Sequence, residues 1–510
     1  MNTFLNEMVN DANYKETENG GIALKSTKSA VLDMFALCAA YRNRSDEDCV
    51  FMFKNAIEEN MDLALKCLFY IADCRGGQGE RRFFRVCFRW FANNYPVIAR
   101  KLILLVPEYR RWDDLIYSCA DTLVAADMLA FVKEQLSLDV ESKTPSLLAK
   151  WLPSENASSR ETKKMGTYIR TYLNMTHKEY RKTLSVLRDR INIVERLMSE
   201  NRWDEIEFDK IPSKAGMIYK NAFARKDIIA KKYENFAKDK STTVNAGTLY
   251  PYEIVSKVIN SGRYYCAEMN LSETDRAIIE KYWENLPDYF EGKQSNMLCV
   301  VDTSGSMVSS EAAAPINVAI SLGMYAAERA GGPFKDHYIS FSSTPELIKI
   351  EGIDFADKVR RIYMANLCEN TDLTKTFDML LDVANRPDVR EEDIPETIVV
   401  ISDMEIDYNG GKRYSYSTGR YESNSSWSKE TAMTEMDIVR AKWAAAGHKL
   451  PRLVYWNVDA RQNTILDAGP AVSFVSGMSP TIFKQVITGK NGYDLMLETL
   501  LAERYEAVHS

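Results

Sequence analysis

Residues 297–307, MLCVVDTSGSM, decide how the carboxy-terminal part of this chain folds. Five apolar residues, two of them β-branched, run without a break into Asp302. A short apolar run of that kind reads as a buried strand, which delivers its carboxylate to the strand's carboxyl end. Four similar runs follow: HYISFSS at 337–343, ETIVVISD at 396–403, RLVYWNV at 452–458 and AVSFVSG at 471–477. Helical patterns separate or follow them at 316–331, 377–387, 433–448 and 493–508. Strands alternating with helices predict an α/β doubly wound, Rossmann-like domain over 295–510, with a mostly parallel sheet covered on both faces. Ligands of such sheets bind where the carboxyl ends of the strands meet their loops.

The turn after the first strand has the form DxSxS: Asp302, Ser304 and Ser306, with Gly305 permitting a tight bend. One carboxylate and two hydroxyls are hard oxygen donors, suited to Mg²⁺ or Mn²⁺ and poorly suited to zinc. Two further oxygens are expected from other strand-end loops, Thr371 in Asn370-Thr371-Asp372-Leu373 and Asp403 in Ile401-Ser402-Asp403. The order DxSxS, Thr, Asp resembles the metal-ion-dependent adhesion site of von Willebrand factor A domains. The resemblance implies direct coordination by Ser304, Ser306 and Thr371, with Asp302 and Asp403 holding the ion directly or through waters. It implies Mg²⁺, or Mn²⁺ or Ca²⁺ in its place, and an open coordination position for an acidic protein ligand. Thr374 is an alternative to Thr371. Glu405 and Asp407 either tighten the hold on the cation or solvate the loop, the second being favoured. Residues 408–434, rich in Ser, Tyr and Gly, are expected to form a mobile loop on the metal face.

Upstream, from 21 to about 290, apolar residues recur at helical spacing. Segments such as KSAVLDMFALCAAYR, MDLALKCLFYIADCR, RRFFRVCFRWFANNYP and YRKTLSVLRDRINIVERLMS read as amphipathic helices, punctuated by Gly76-Gly77 and by prolines. Short connections predict an irregular, all-α helical-repeat array of HEAT-like character. Residues 1–20 are polar and acidic and are expected to be flexible.

A helical array followed by an A domain resembles the TROVE-module proteins typified by the Ro autoantigen. The segments Cys74-Arg75-Gly76-Gly77-Gln78-Gly79-Glu80-Arg81-Arg82-Phe83-Phe84-Arg85, Ala149-Lys150-Trp151-Leu152-Pro153-Ser154 and Ile401-Ser402-Asp403-Met404-Glu405 resemble Ro-like relatives in eukaryotes and viruses. That likeness implies a helical ring locked by the A domain, with RNA, single-stranded or small and structured, bound on basic surfaces and entering the hole.

Two regions carry such charge. Arg81, Arg85 and Arg89 lie at i, i+4 and i+8, one stripe of a helix, beside Arg75 and Arg82 and interleaved with Phe84, Phe88 and Trp90. A cationic stripe tracks phosphates and aromatic planes stack bases, although the aromatics read more simply as core. The second region runs from Lys178 to Lys240 and includes Arg181, Lys182, Arg188, Lys220, Arg225 and Lys226; the wider window 160–240 holds 20 Lys and Arg against 12 Asp and Glu. Residues 296–510 hold 21 against 30, and the whole chain carries a net charge of −7. Opposite charges on the two parts imply partners of different charge.

Other classes fit poorly. Nine scattered cysteines without a CxxC pair, no apolar leader and no membrane-length run lead to the expectation of a cytoplasmic protein. Four histidines, none in an HExxH setting, and no GxSxG or GxxxxGK[ST] motif point away from an enzyme. The expected function is that of a non-catalytic, Ro-like RNA-binding or ribonucleoprotein ring with a metal-dependent docking face. The alternative is a protein-interaction scaffold without nucleic-acid binding. Neither the RNA, the partner nor the oligomeric state follows from the residues.

Overall fold

The computed structural model describes residues 13–510 except 19–21, 192, 260–269, 309–312, 342–343, 366–371, 407–411, 416–419, 424–433, 468 and 470. Its ten strands are β1 (Tyr14–Glu16), β2 (Ile22–Leu24), β3 (Met297–Asp302), β4 (His337–Phe341), β5 (Leu347–Lys349), β6 (Thr397–Ser402), β7 (Lys412–Ser415), β8 (Arg420–Ser423), β9 (Arg452–Asn457) and β10 (Val472–Ser476). Among the described residues, every named element from Ala30 to Glu284 is a helix. Each of the five apolar runs is a strand. They form one sheet in the order β10-β9-β6-β3-β4-β5, parallel except for β5 at the edge. The five parallel strands are buried on both sides, which is why they read as unbroken apolar runs rather than as alternations, while β5 at the edge is largely exposed.

Side-chain alternation divides the sheet between two cores. Leu298, Val300, Ile398, Val400, Leu453 and Tyr455 share one core with apolar residues of the helical part from Val31 to Leu187. Cys299, Val301, Val399, Ile401, Val454 and Trp456 share the other with residues from Val194 to Phe290. The first half of the helical arc therefore continues the core of one sheet face, and the second half continues the core of the opposite face. The arc begins and ends on the α/β domain. Helix Ala30–Leu37 packs on β10 and on helix Gly492–Leu500, and helix Pro251–Val255 packs on helix Pro315–Arg329. The ring expected from the family likeness is closed in this way.

The glycine-rich segment is the junction. It turns sharply between helices Met61–Ala72 and Arg82–Asn94. Asp73, fully buried, is held by the Arg504 guanidinium (2.8 Å to Nη2) and by the Tyr505 hydroxyl (3.1 Å) from the carboxy-terminal tail. Thr481 donates to the Gly77 carbonyl (3.2 Å), and Tyr250 donates to that of Gln78 (3.2 Å). Gly79 has φ +65°, and a side chain there would run into the Tyr250 hydroxyl. Both helical halves and the tail thus meet on seven residues.

Three segments add detail to the sequence reading, and the last corrects it. Of the terminus expected to be flexible over 1–20, residues 13–18 are described: β1 pairs with β2, and Thr17 donates to Ile406 O (2.7 Å) and Leu24 N to Ile465 O (2.7 Å), tertiary partners invisible to a local reading. Of the 408–434 segment expected to be mobile, the described residues are the β7–β8 hairpin and Thr434, which caps helix Glu435–Ala446; the others lie outside those described. The helix read across 180–199 stops at Arg190 and resumes at Val194, where β-branched Ile191 and Ile193 weaken it. Among the described residues no helix is long and apolar enough to cross a membrane.

Candidate functional site

Parallel pairing of β3 with β6, with Val301 opposite Ile401, sets Asp302 beside Ser402 at the carboxyl edge of the sheet. Ser402 Oγ donates to Asp302 Oδ2 (2.5 Å) and Ser304 N to Oδ1 (2.9 Å), while Ser304 Oγ and Ser306 Oγ lie 3.0 Å apart. Asp302, Ser304 and Ser306 are therefore gathered on one turn. Asp302 is fully buried, and burial first, then the neighbouring Asp403 carboxylate, pushes its carboxyl up to about 7. Among the described residues no lysine or arginine pairs with it. Thr371 lies outside the described residues; Thr374 and Thr376 are buried at the start of helix Leu373–Ala384.

Asp403 is also buried. Its Oδ1 accepts from Glu405 N (3.1 Å), and its Oδ2 takes the Arg461 guanidinium (2.7 Å). Met404 between them adopts φ +65°, a left-handed turn in which Met404 N donates to Ser402 Oγ (2.9 Å). Non-glycine residues take that conformation only when their surroundings impose it, often at functional sites. Glu405 does not solvate the loop. It is fully buried, accepts from Glu18 N (2.7 Å) and Thr464 Oγ1 (3.0 Å), and burial raises its carboxyl. Asp407 lies outside the described residues.

Among the described residues no three His, Cys, Asp or Glu side chains gather as a metal cluster. The donors here are instead two carboxylates and two serine hydroxyls. They fit a hard dication: a buried carboxylate without a counter-charge, next to a second one, is the setting such an ion compensates.

The helical ring holds a second feature, a cavity of about 1790 Å³ lined by segments from Cys74 to Tyr250. Ten lysines and arginines line it against three glutamates. Several of the ten are already engaged. Arg81, Arg110 and Arg111, with Arg85, surround Asp113 and the fully buried Asp114. Arg188 donates to the carbonyls of Ala149 (2.8 Å) and Leu152 (2.9 Å), and Arg196 and Lys214 pair with Glu200 and Glu253. Arg75, Lys150, Lys178 and Arg181 remain without a carboxylate partner among the described residues, and all but Lys150 are exposed. Trp151 lies on the same wall, under the Arg111 guanidinium (4.0 Å).

Of the residues singled out for RNA, Arg75, Arg81, Arg181 and Arg188 line this cavity; Arg82, Arg85, Arg89, Lys182, Lys220, Arg225 and Lys226 do not. The arginine stripe is no open cationic face. Arg81 and Arg85 bind Asp113 and Asp114, Arg82 binds Asp46, and Arg89 donates to the Tyr117 carbonyl. Phe84 and Phe88 are fully buried core. Lys220 is buried on Asp275, and Lys226 lies over Trp203. Lys178 opens the basic region expected to 240, whereas Lys150 was not singled out as a site residue. Arg111 is a further omission, and the Arg110-Arg111-Trp112-Asp113-Asp114 run was the sequence signal that marked it.

The chain matches two family models, each described as a domain of unknown function: DUF2828 over residues 17–108 and 135–293, and DUF7788 over 296–506. It is 25% identical to the uncharacterized protein L728 of Acanthamoeba polyphaga mimivirus, in an alignment covering 96% of this chain and 87% of that protein. Among solved structures, the crystal structure of the Deinococcus radiodurans Ro (RSR) protein aligns with 94% of this chain and 100% of its own, at 10% identity and a TM-score of 0.42.

Proposed function

We propose that the protein is a non-catalytic RNA-binding ring whose α/β domain holds Mg²⁺ and docks an acidic protein at that ion. The observation that carries the RNA reading is the set of four cations, Arg75, Lys150, Lys178 and Arg181, that face one cavity without carboxylate partners. Like charges gathered around one concave surface repel one another even where solvent screens them, and a polyanion relieves that repulsion. The arrangement carries no base-reading signature, so recognition would rest on phosphates and on strand shape. The Ro-like motifs support the same reading, since two of them, the segments around Arg75 and Lys150, contribute to the cavity wall.

At the sheet edge, Asp302, Ser304, Ser306 and Asp403 would hold the cation, which when bound supplies a Lewis-acidic position for a partner's carboxylate. The burial of Asp302 without a counter-charge supports this part.

Fluorescence anisotropy with short single-stranded RNA tests the proposal. Replacing Arg75, Lys150, Lys178 and Arg181 by glutamate should abolish binding and, in partial variants, lower the salt slope by about one unit per lost phosphate contact. Equal affinity and slope in a folded quadruple variant would refute the cavity as the RNA site. Metal-dependent protein capture by a chain that binds no RNA would favour the scaffold reading, which the net charge of −7 of the whole chain favours on its side.

A further inference from the structure

Beside the metal face stands a cation that belongs to the chain itself. Arg461 follows β9, the strand next to β6, so its loop and that of Asp403 emerge side by side at the same sheet edge. One terminal nitrogen of its guanidinium lies 2.7 Å from Asp403 Oδ2, the other 2.9 Å from Glu18 Oε2. The backbone is fixed as well: Arg44 donates to the Arg461 carbonyl (2.6 Å), and Arg461 N donates to Asp459 O (2.9 Å). Glu405 and Asp459 complete the acidic surroundings, and the guanidinium is the positive charge they share with Asp403 and Glu18. Glu18 reaches it because the amino-terminal hairpin is anchored on the same loops. Its own N–H bonds Glu405, and Lys15 Nζ donates to Gln462 Oε1 (3.0 Å) and Asn463 O (3.3 Å).

We propose that Arg461 is a positioning residue that sets the metal affinity of the α/β domain by competing with the cation for Asp403, and that Glu18 tunes this competition by drawing the guanidinium the other way. The inference rests on the metal reading above. A guanidinium on Asp403 Oδ2 removes one oxygen from the ion's reach, adds positive charge beside it, and aims the remaining oxygen. The carboxylate of Glu18 offsets part of that charge. Two neutralising substitutions a few ångströms apart should therefore shift affinity in opposite directions. No simple loss of local structure does that.

The experiment is titration of the full-length protein with Mn²⁺, followed by electron paramagnetic resonance of the free ion and by competition with Mg²⁺. Arg461→Gln should bind Mn²⁺ about tenfold more tightly, from the loss of one positive charge at short range. Glu18→Gln should bind several-fold more weakly, and Arg461→Lys should stay near the parent protein. Asp302→Ala should bind none and serves as the control for the site. Circular dichroism confirms folding. If Arg461→Gln does not fold, the weakening in Glu18→Gln decides alone. The proposal is overturned if folded Arg461→Gln binds no more tightly than the parent, or if Glu18→Gln binds as well or better. Mn²⁺ binding that Asp302→Ala abolishes, without these opposite shifts, leaves the metal site standing and sinks only the role of Arg461. If neither the parent nor Arg461→Gln binds Mn²⁺, the metal reading falls and takes the proposal with it.

Discussion

The Tyr250 hydroxyl donates to the backbone carbonyl of Gln78, 3.2 Å away and 172 positions earlier in the chain. That bond joins the two halves of the helical arc on the rim of the basic cavity, to which both Gly79 and Tyr250 belong. Gly79 must be glycine there, because φ is +65° and the Tyr250 hydroxyl fills the space of a side chain. Gly79→Ala should therefore destabilise the fold by about 2–4 kcal/mol, combining left-handed strain with overpacking. Tyr250→Phe removes only the hydroxyl and should cost about 1 kcal/mol. Urea unfolding of both variants checks the order; equal costs would mean that the junction is not tightly packed.

The tail should matter as much as the motif. Asp73, fully buried, is charge-paired with Arg504 from the far end of the chain. Arg504→Ala leaves that carboxylate buried without its cation, a change that costs about 3–5 kcal/mol when a pair is dry. Arg504 is one-third exposed, so solvent lowers the expected loss to about 1–3 kcal/mol. Small-angle scattering should show a wider particle if the ring opens, and an unchanged radius of gyration if the tail is a passive cover.

The sheet and the DxSxS turn were legible because doubly buried parallel strands announce themselves as uninterrupted apolar runs ending in polar loops. The helices were legible for the complementary reason, a 3.6-residue period. Arg81 and Arg85 show where such reading stops. Their spacing correctly placed them on one helix face, but spacing says nothing about what faces them, and Asp113 and Asp114 arrive from another helix. Arg461 was less visible still: it sits in a loop with no motif, and only the β9–β6 adjacency brings it to Asp403. The β1–β2 hairpin is held by bonds to residues almost 400 positions away, so no local pattern betrays it.

Asp114, fully buried, is bound by Arg81 and Arg110 of the cavity lining. Arg85 bonds it directly as well. Asp114→Asn keeps the shape but leaves a cluster of arginines short of one negative charge. The protein should lose about 3 kcal/mol of stability in low salt, and less when sulfate is added to occupy the cluster. RNA affinity should hold or rise in the folded fraction, since the cavity becomes more positive. A weaker affinity in folded Asp114→Asn would mean that these arginines must be aimed by Asp114 to bind RNA.

Asp302→Asn gives the sharpest reading of the metal face, because its effects on stability and on metal response should run in opposite directions. In a chelator, the parent protein must bury the Asp302 carboxylate near Asp403 with no lysine or arginine among the described residues paired with it. Burial raises the Asp302 carboxyl to about 7, so the ionised form is disfavoured in the fold and the neutral amide relieves that cost. Thermal unfolding in chelator at pH 8 should therefore occur at a higher temperature for Asp302→Asn than for the parent. The gain is limited, because the amide also loses part of the hydrogen bonding from Ser402 and Ser304. Saturating Mg²⁺ should then reverse the order. A ligand at a hundred times its dissociation constant stabilises the native state by about 2.7 kcal/mol, which the parent gains and the variant does not. If Mg²⁺ leaves the parent's unfolding temperature where it was, the cation site fails. If Asp302→Asn is the less stable protein in chelator, the carboxylate is compensated by its hydrogen bonds and needs no ion.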